Sequence, residues 1–193
     1  MKTALIDFRD SFTYNIVHYL EALGMNCEVL EDGKYRLEDL AEFEKIVLSP
    51  GPGLPGETFS MRQVLEQYSE EKHILGICLG MQGIAEFYGA KIFNLGVVKH
   101  GVSAEINFSR SSGLFEGISS PFKAGLYHSW ACDIAGCNEL LATSWNSDNV
   151  VMSFEHKSLP VFGVQFHPES ILTPSGKQLL RNFVNFGNSN INN

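Results

Sequence analysis

Cys78, His167 and Glu169 are the residues whose types and spacing could break an amide bond by way of a covalent intermediate. Cys78 closes the short apolar run Ile74-Leu75-Gly76-Ile77 and precedes Leu79-Gly80-Met81-Gln82-Gly83, which opens into a helix. Glycine two positions either side of a reactive residue at a strand-to-helix corner is the pattern of a nucleophile elbow. The Leu79 N–H then begins a helix whose first donors lack partners and whose dipole favours negative charge, on a thiolate or on an oxyanion. Far along the chain, Gln165-Phe166-His167-Pro168-Glu169-Ser170 follows a strongly apolar strand. In extended backbone, residues two apart point to the same side, so Glu169 can accept a hydrogen bond from the His167 ring and fix its tautomer. If both strands lie in one sheet, their carboxyl ends can converge as nucleophile, base and orienter. Each piece also has a plainer reading. Free cysteine is among the most buried residue types, and His-Pro-Glu after a strand serves as a turn.

A third stretch, Ser49-Pro50-Gly51-Pro52-Gly53-Leu54-Pro55-Gly56, continues neither helix nor strand. Prolines of fixed φ beside permissive glycines are equally a turn or a way to hold an N–H outward as an oxyanion donor. Its place after a strand, where open α/β sheets bind ligands, tips the reading toward function. Gly125-Leu126-Tyr127-His128-Ser129-Trp130 carries less. His128 could act as a second base, but nothing next to it orients the ring, so structure is the default. His18, His73, His100 and His156 have no company comparable to the His167–Glu169 strand end and read as structural.

Elements alternate in the first half. Thr3–Asp7 reads as a buried strand, and Asp10 or Ser11 caps a helix carrying Phe12, Ile16, Leu20 and Leu23 at helical spacing, stopped by Gly24. Strands follow at Cys27–Leu30 and Lys45–Ser49, with a short helix over Glu38–Phe43 between them. A helix over Glu57–Gln67, the Cys78 strand and a helix over Gln82–Tyr88 come next. Strand–helix alternation predicts an α/β fold, a mostly parallel sheet covered on both faces. Beyond residue 90 the pattern turns to short strands at Lys91–Phe93, Gly96–Lys99 and Val102–Ile106, with a serine-rich loop over Asn107–Gly113. Asn149–His156 and Val161–Phe166 read as an antiparallel hairpin, and Gly176–Phe186 as a last amphipathic helix. The expected organisation is one domain over 1–187 and a polar tail over 188–193.

Composition narrows the class. With 193 residues, 44% hydrophobic and 19% charged, one core is expected. A net charge of −8 with scattered basic residues argues against nucleic acid or an anionic membrane as partner. No apolar run reaches transmembrane length, and an acidic residue at Asp7 comes too early for a signal peptide, so the expected place is the cytoplasm. The four cysteines, at 27, 78, 132 and 137, read as thiols. Cys132-x4-Cys137 has no second Cys/His pair at zinc-like spacing, so no metal and no cofactor is expected.

Four of these motifs together resemble the signatures of class I (triad) glutamine amidotransferases. They are Gly76-Ile77-Cys78-Leu79-Gly80-Met81-Gln82, Ser49-Pro50-Gly51-Pro52-Gly53, Tyr127-His128-Ser129 and Gln165-Phe166-His167-Pro168-Glu169-Ser170. Asp10-Ser11-Phe12-Thr13-Tyr14-Asn15 and Ser170-Ile171-Leu172-Thr173-Pro174 are similar to the small subunits of anthranilate synthase and para-aminobenzoate (aminodeoxychorismate) synthase. The resemblance implies a flavodoxin-like three-layer α/β/α domain with an added antiparallel portion. It also implies that Cys78 attacks the carboxamide of glutamine while His167, held by Glu169, serves the departing ammonia and then water. Backbone N–H groups of Gly53 and Leu79 would form the oxyanion hole; Gly51, Pro52, Gly53, Gln82, Ser129 and Trp130 would grip the glutamine. The implied partner is a chorismate-binding large subunit in a hetero-oligomer, since a chain of this length has one hydrolase domain and nothing left for a second substrate. Other implied readings are a subunit serving another ammonia-consuming synthase, or a cysteine hydrolase of the same fold. The chain departs from the family pattern at Met81, Lys99, Val102 and Leu126.

Overall fold

A computed structural model describes residues 2–108 and 112–187. The centre of the serine-rich loop and the expected polar tail at 188–193 lie outside the described residues.

The first strand, β1 (Lys2–Asp7), is apolar on both faces and ends where its sequence turns polar. It feeds α1 (Thr13–Ala22), then β2 (Asn26–Glu31), a 3-10 turn over Leu37–Glu42, and β3 (Lys45–Leu48). A second 3-10 turn, Pro55–Glu57, precedes α2 (Met61–Tyr68), β4 (His73–Ile77) and α3 (Leu79–Phe87). The second half holds β5 (Lys91–Asn94), β6 (Val102–Phe108), β7 (Phe122–Leu126), β8 (Trp130–Asp133) and β9 (Leu140–Asn146). It closes with β10 (Val151–His156), β11 (Val161–Val164) and α4 (Gly176–Asn185).

Among the described residues, nine strands form one sheet in the order β2-β1-β3-β4-β11-β10-β9-β6-β7. The first five are mutually parallel, and the pairs from β11 through β7 are antiparallel. Strands β5 and β8 make a separate antiparallel pair. Alternate residues of β1 show why both faces need covering. Leu5 joins the core under α1 and α4 with Ile16, Leu20, Leu180 and Phe183. Ala4 and Ile6 join the core under α2 and α3 with Val64, Leu65, Ile84 and Ala85. Three layers result.

The pairing that places the site is β4 beside β11, with Ile77 opposite Val164. It brings the residues that follow both strands to the same edge. The close approach of α3 to the sheet rests on glycine. A methyl on Gly76 would fall 2.4 Å from the Gly80 carbonyl carbon, and one on Gly80 would fall 2.3 Å from the Leu48 carbonyl oxygen.

Several sequence expectations are corrected. Gly96–Lys99 is not a strand, because the Gly96 N–H is taken by the Asn94 side chain at 2.8 Å and Gly96 has φ +70, which turns the chain outward. The helix expected from Glu57 begins at Met61, because both carboxylate oxygens of Asp32 capture the N–H groups of Phe59 and Ser60 and hold them off helical path. The expected helix at Glu38–Phe43 is a 3-10 turn over Leu37–Glu42. Helix α3 starts at Leu79, three residues before the expected Gln82, and β11 stops at Val164 rather than Phe166. Helix α1 starts at Thr13, past both expected caps; Asp10 instead accepts from the Phe12 N–H at 2.7 Å. The flanks of Tyr127–Ser129, to which the sequence assigned no element, are β7 and β8.

At the far edge of the sheet, Lys45 is 1% exposed. Its ammonium contacts His73 Nδ1 at 2.8 Å and donates to the Phe186 carbonyl at 3.1 Å, tying down the end of α4. Burial lowers its pKa to about 8.

Gly80→Ala is expected to destabilise the chain by about 2 kcal/mol or more, because the added methyl meets backbone rather than a movable side chain. Urea unfolding followed by circular dichroism measures this, and Gly136→Ala, where a methyl meets nothing within 4 Å, is the control.

Candidate active site

Cys78 occupies the residue between β4 and α3 with φ +52 and ψ −101, a left-handed backbone that costs an L-residue energy. Two bonds over-determine it. The Cys78 N–H extends the ladder to the Val164 carbonyl at 2.8 Å, and its own carbonyl accepts the first helical bond from Gln82 at 3.0 Å. The thiol is 6% exposed, on a cavity of about 220 Å3. Cys27, Cys132 and Cys137 are also free thiols. Burial raises Cys27 to about 11, and raises Cys132 further with help from the Cys78 charge.

His167 lies at the same edge, in the segment after β11. Its Nδ1 is 2.6 Å from Glu169 Oε1, with both side chains buried. Burial opposes the imidazolium, but hydrogen bonding to Cys78 and to Glu169, with their charges, outweighs it and raises the His167 pKa to about 10. With Nδ1 held by Glu169, Nε2 is the ring nitrogen left for the Cys78 sulfur.

The segment 165–173 is locked from behind. His167 donates its N–H to the Gly125 carbonyl at 3.0 Å, forming a single antiparallel bridge to the end of β7. Thr173 Oγ1 donates to the His167 carbonyl at 2.6 Å and accepts from the Gly125 N–H at 2.9 Å. Ser170 Oγ meets the Tyr127 hydroxyl at 3.0 Å. Over the imidazole, the Tyr127 ring stands 4.9 Å away centre to centre, and Phe12 stands 6.2 Å away edge-on. Phe12, which the sequence placed on the inner stripe of α1, instead roofs the histidine. Its position follows from Asp7, whose Oδ1 accepts from the N–H groups of Arg9 and Asp10 and from the Thr13 hydroxyl, folding the β1–α1 turn back over the sheet edge.

The other expected residues line the same cavity: Gly51, Pro52 and Gly53 on one side, Leu79 and Gln82 on the helix, Ser129 and Trp130 opposite. Gly53 has φ +80 and packs on Glu57, whose carboxylate accepts from the Leu54 N–H at 2.8 Å. Ser49 Oγ accepts from the Phe8 N–H at 2.9 Å and fixes the start of that loop. His128 also lines the cavity, and its Nδ1 has no partner. Burial, then the charges of His167 and Lys99, lowers its pKa to about 4, so it stands neutral beside the His167 imidazolium. Gln165, quoted in the sequence motif but given no role, is fully buried and bonded to the Cys78 sulfur. Its polarity inside an apolar strand end was the available signal. Of the departures, Met81 and Leu126 are buried in the core, while Lys99 pairs with Asp148 at 3.8 Å and Val102 faces outward.

A buried thiol on a strand-to-helix corner, an acid-backed histidine and a cavity sized for a small molecule thus lie together at one edge of a three-layer α/β domain. Residues 4–186 match the family model for class-I glutamine amidotransferases, and the chain belongs to that family. It is 38% identical to anthranilate synthase component 2 of Thermus thermophilus, over 95% of this chain and 92% of that one. It is 42% identical to aminodeoxychorismate synthase of Streptomyces griseus, over 95% of this chain but only 26% of that longer protein. A glutamine amidotransferase structure from Thermotoga maritima shares the fold at TM-score 0.75, with 15% identity and 96% of each chain covered.

The His167–Glu169 pair sets a pH dependence of stability. A folded pKa raised from about 6.5 to about 10 contributes stability that is complete below pH 6.5 and lost as pH rises through 10. Glu169→Gln removes much of that rise, so its melting temperature should fall less steeply than the wild type's between those limits. Melting temperatures of both proteins across the range check this, and parallel curves would refute it.

Proposed function

We propose that this chain is the glutaminase subunit of a synthase that aminates chorismate in the cytoplasm, with residues 1–187 as its catalytic domain. The carrying observation is that Cys78, on a small cavity, interacts with His167, whose ring is in turn held by the buried carboxylate of Glu169. Cys78 sulfur attacks the side-chain carboxamide carbon of L-glutamine, and the negative oxygen is received by the backbone N–H groups of Gly53 and Leu79. The C–N bond breaks as His167 gives its proton to the departing nitrogen, leaving ammonia and a glutamyl thioester. Water, losing a proton to His167, then cleaves the thioester to glutamate and restores the thiolate. Gln82, Gly51, Pro52, Ser129 and Trp130 hold the α-amino and carboxylate ends.

Two kinds of support favour a chorismate-binding partner. The relatives above bear the names anthranilate synthase and aminodeoxychorismate synthase. Exposed apolar residues also sit next to the groups that frame the cavity. Ile171 is 92% exposed beside Ser170, Val98 is 71% exposed beside Lys99 whose N–H holds the His128 carbonyl, and Tyr14 is 62% exposed two residues from Phe12. A partner seated there covers the mouth and receives ammonia before water does.

Cys78→Ser is expected to lower glutamine turnover by roughly 10^4-fold or more. A diazo-ketone glutamine analogue should label Cys78 and spare the other cysteines. Mixed with a chorismate-binding subunit, glutamine and chorismate, the wild type should turn over glutamine faster and yield anthranilate or 4-amino-4-deoxychorismate, identified by mass. Full turnover in the variant refutes the nucleophile. Turnover that no chorismate-binding subunit raises points to another ammonia-consuming synthase, and peptide cleavage without glutamine turnover points to a cysteine hydrolase.

A further inference from the structure

A chain of polar groups, with Gln82 on the cavity wall and Gln165 buried behind it, has its direction fixed from one end. Gln82 and Gln165 are 3% and 0% exposed, so neither carboxamide can exchange its partners for bulk water. Gln82 Nε2 lies 3.0 Å from the Trp130 carbonyl oxygen. A backbone carbonyl only accepts, so the group facing it must be the NH2 of Gln82. The same nitrogen lies 3.2 Å from the Gln165 carboxamide, which must therefore present its oxygen. With its oxygen committed, Gln165 turns its NH2 toward Cys78, where Nε2 lies 3.5 Å from Sγ. No other arrangement of the two amides leaves every one of these contacts paired as donor with acceptor.

We infer that Gln165 positions both halves of the reaction: it aims an N–H at the Cys78 sulfur, and it holds Gln82 so that its free carbonyl oxygen is the group offered to the substrate. The inference rests on reading Cys78 as the nucleophile. A donor at the sulfur favours the thiolate over the thiol, both before attack and when the thioester breaks and the sulfur takes back its electron pair. Both amide hydrogens of Gln82 are spent on Trp130 and Gln165, so its Oε1 is left as an acceptor on the cavity wall, suited to the ammonium end of an amino acid. Anchoring the chain at Trp130 ties this orientation to β8, an element outside the main sheet. Substrate recognition and thiolate stabilisation therefore share one hydrogen-bonded line.

The test uses the full chain with Gln165→Met, which keeps the volume and removes both bonds, and Gln165→Leu as a second apolar replacement. Iodoacetamide labelling of Cys78 is followed by mass spectrometry from about pH 5 to 10, and glutamine turnover is measured with the partner subunit present. The groups that act on the Cys78 sulfur among the described residues are His167, backed by Glu169, and Cys132, and all remain in both variants. The pH midpoint of labelling should move upward by about one pH unit or more, the size expected for losing a hydrogen bond to a charged group. The kcat should fall about tenfold and KM should rise about tenfold, because a freed Gln82 no longer presents its oxygen. A wild-type midpoint with wild-type KM in either folded variant overturns the inference. If neither variant folds, 15N spectra of the wild type decide: the Gln165 side-chain amide must shift with the midpoint of Cys78 labelling, and a signal constant through it overturns the inference. Wild-type chain that labels at Cys78 but never turns over glutamine defeats the amidotransferase reading instead, whatever the midpoints show.

Discussion

A left-handed residue between a buried strand and a buried helix is the constraint on which the rest of this structure depends. Cys78 is neither glycine nor asparagine, so its φ of +52 has to be imposed by its surroundings. The Val164 carbonyl holds its N–H, the first turn of α3 holds its carbonyl, and Gly76 and Gly80 let strand and helix approach until no side chain fits between them. Relaxing any of these would let the thiol drop back into the core. The strain is thus distributed over β3, β4, β11 and α3, the best-covered part of the sheet.

The same pairing decides the electrostatics. Because β11 lies beside β4, the segment after it arrives within reach of the thiol, and the Cys78 sulfur together with a buried carboxylate two residues on raises the imidazole's pKa in a place where burial alone would lower it. His128, on the cavity wall, shows the opposite outcome. Without a carboxylate it is driven neutral by burial and by the charge of His167 itself. Two interacting histidines are therefore set to different protonation states by their surroundings.

Rigidity around the base comes from the antiparallel half of the sheet. Gly125, at the end of β7, accepts from the His167 N–H and donates to Thr173, and a methyl there would fall 2.9 Å from Ser170 Oγ. The added strands thus hold the His167 segment in register as well as extending the sheet. Tyr127 and Phe12, one from each half of the chain, close over the ring and keep water away from the His167–Glu169 pair.

Chemistry-bearing residues were legible in the sequence because their constraints are local. An elbow needs small residues at fixed offsets from the nucleophile, a histidine and its acid need two-residue spacing, and a proline-glycine loop needs no tertiary information to be recognised. The parallel strands were legible for a similar reason, since full burial makes them continuous apolar runs. The antiparallel strands β7, β8 and β9 were not, because each is buried irregularly and shows no period. The helix start at Met61 was set by the distant carboxylate of Asp32, which no local window contains, and the start at Thr13 by the way Asp7 folds the turn before it. Gln165 and Phe12 acquired their places only when β11 came to lie beside β4 and the β1–α1 turn folded over the edge. Residue types determined what reaction the chain can perform; the long-range pairing of strands decided which side chains meet, since hydrogen bonds between segments more than 80 residues apart leave no mark on the sequence around either one.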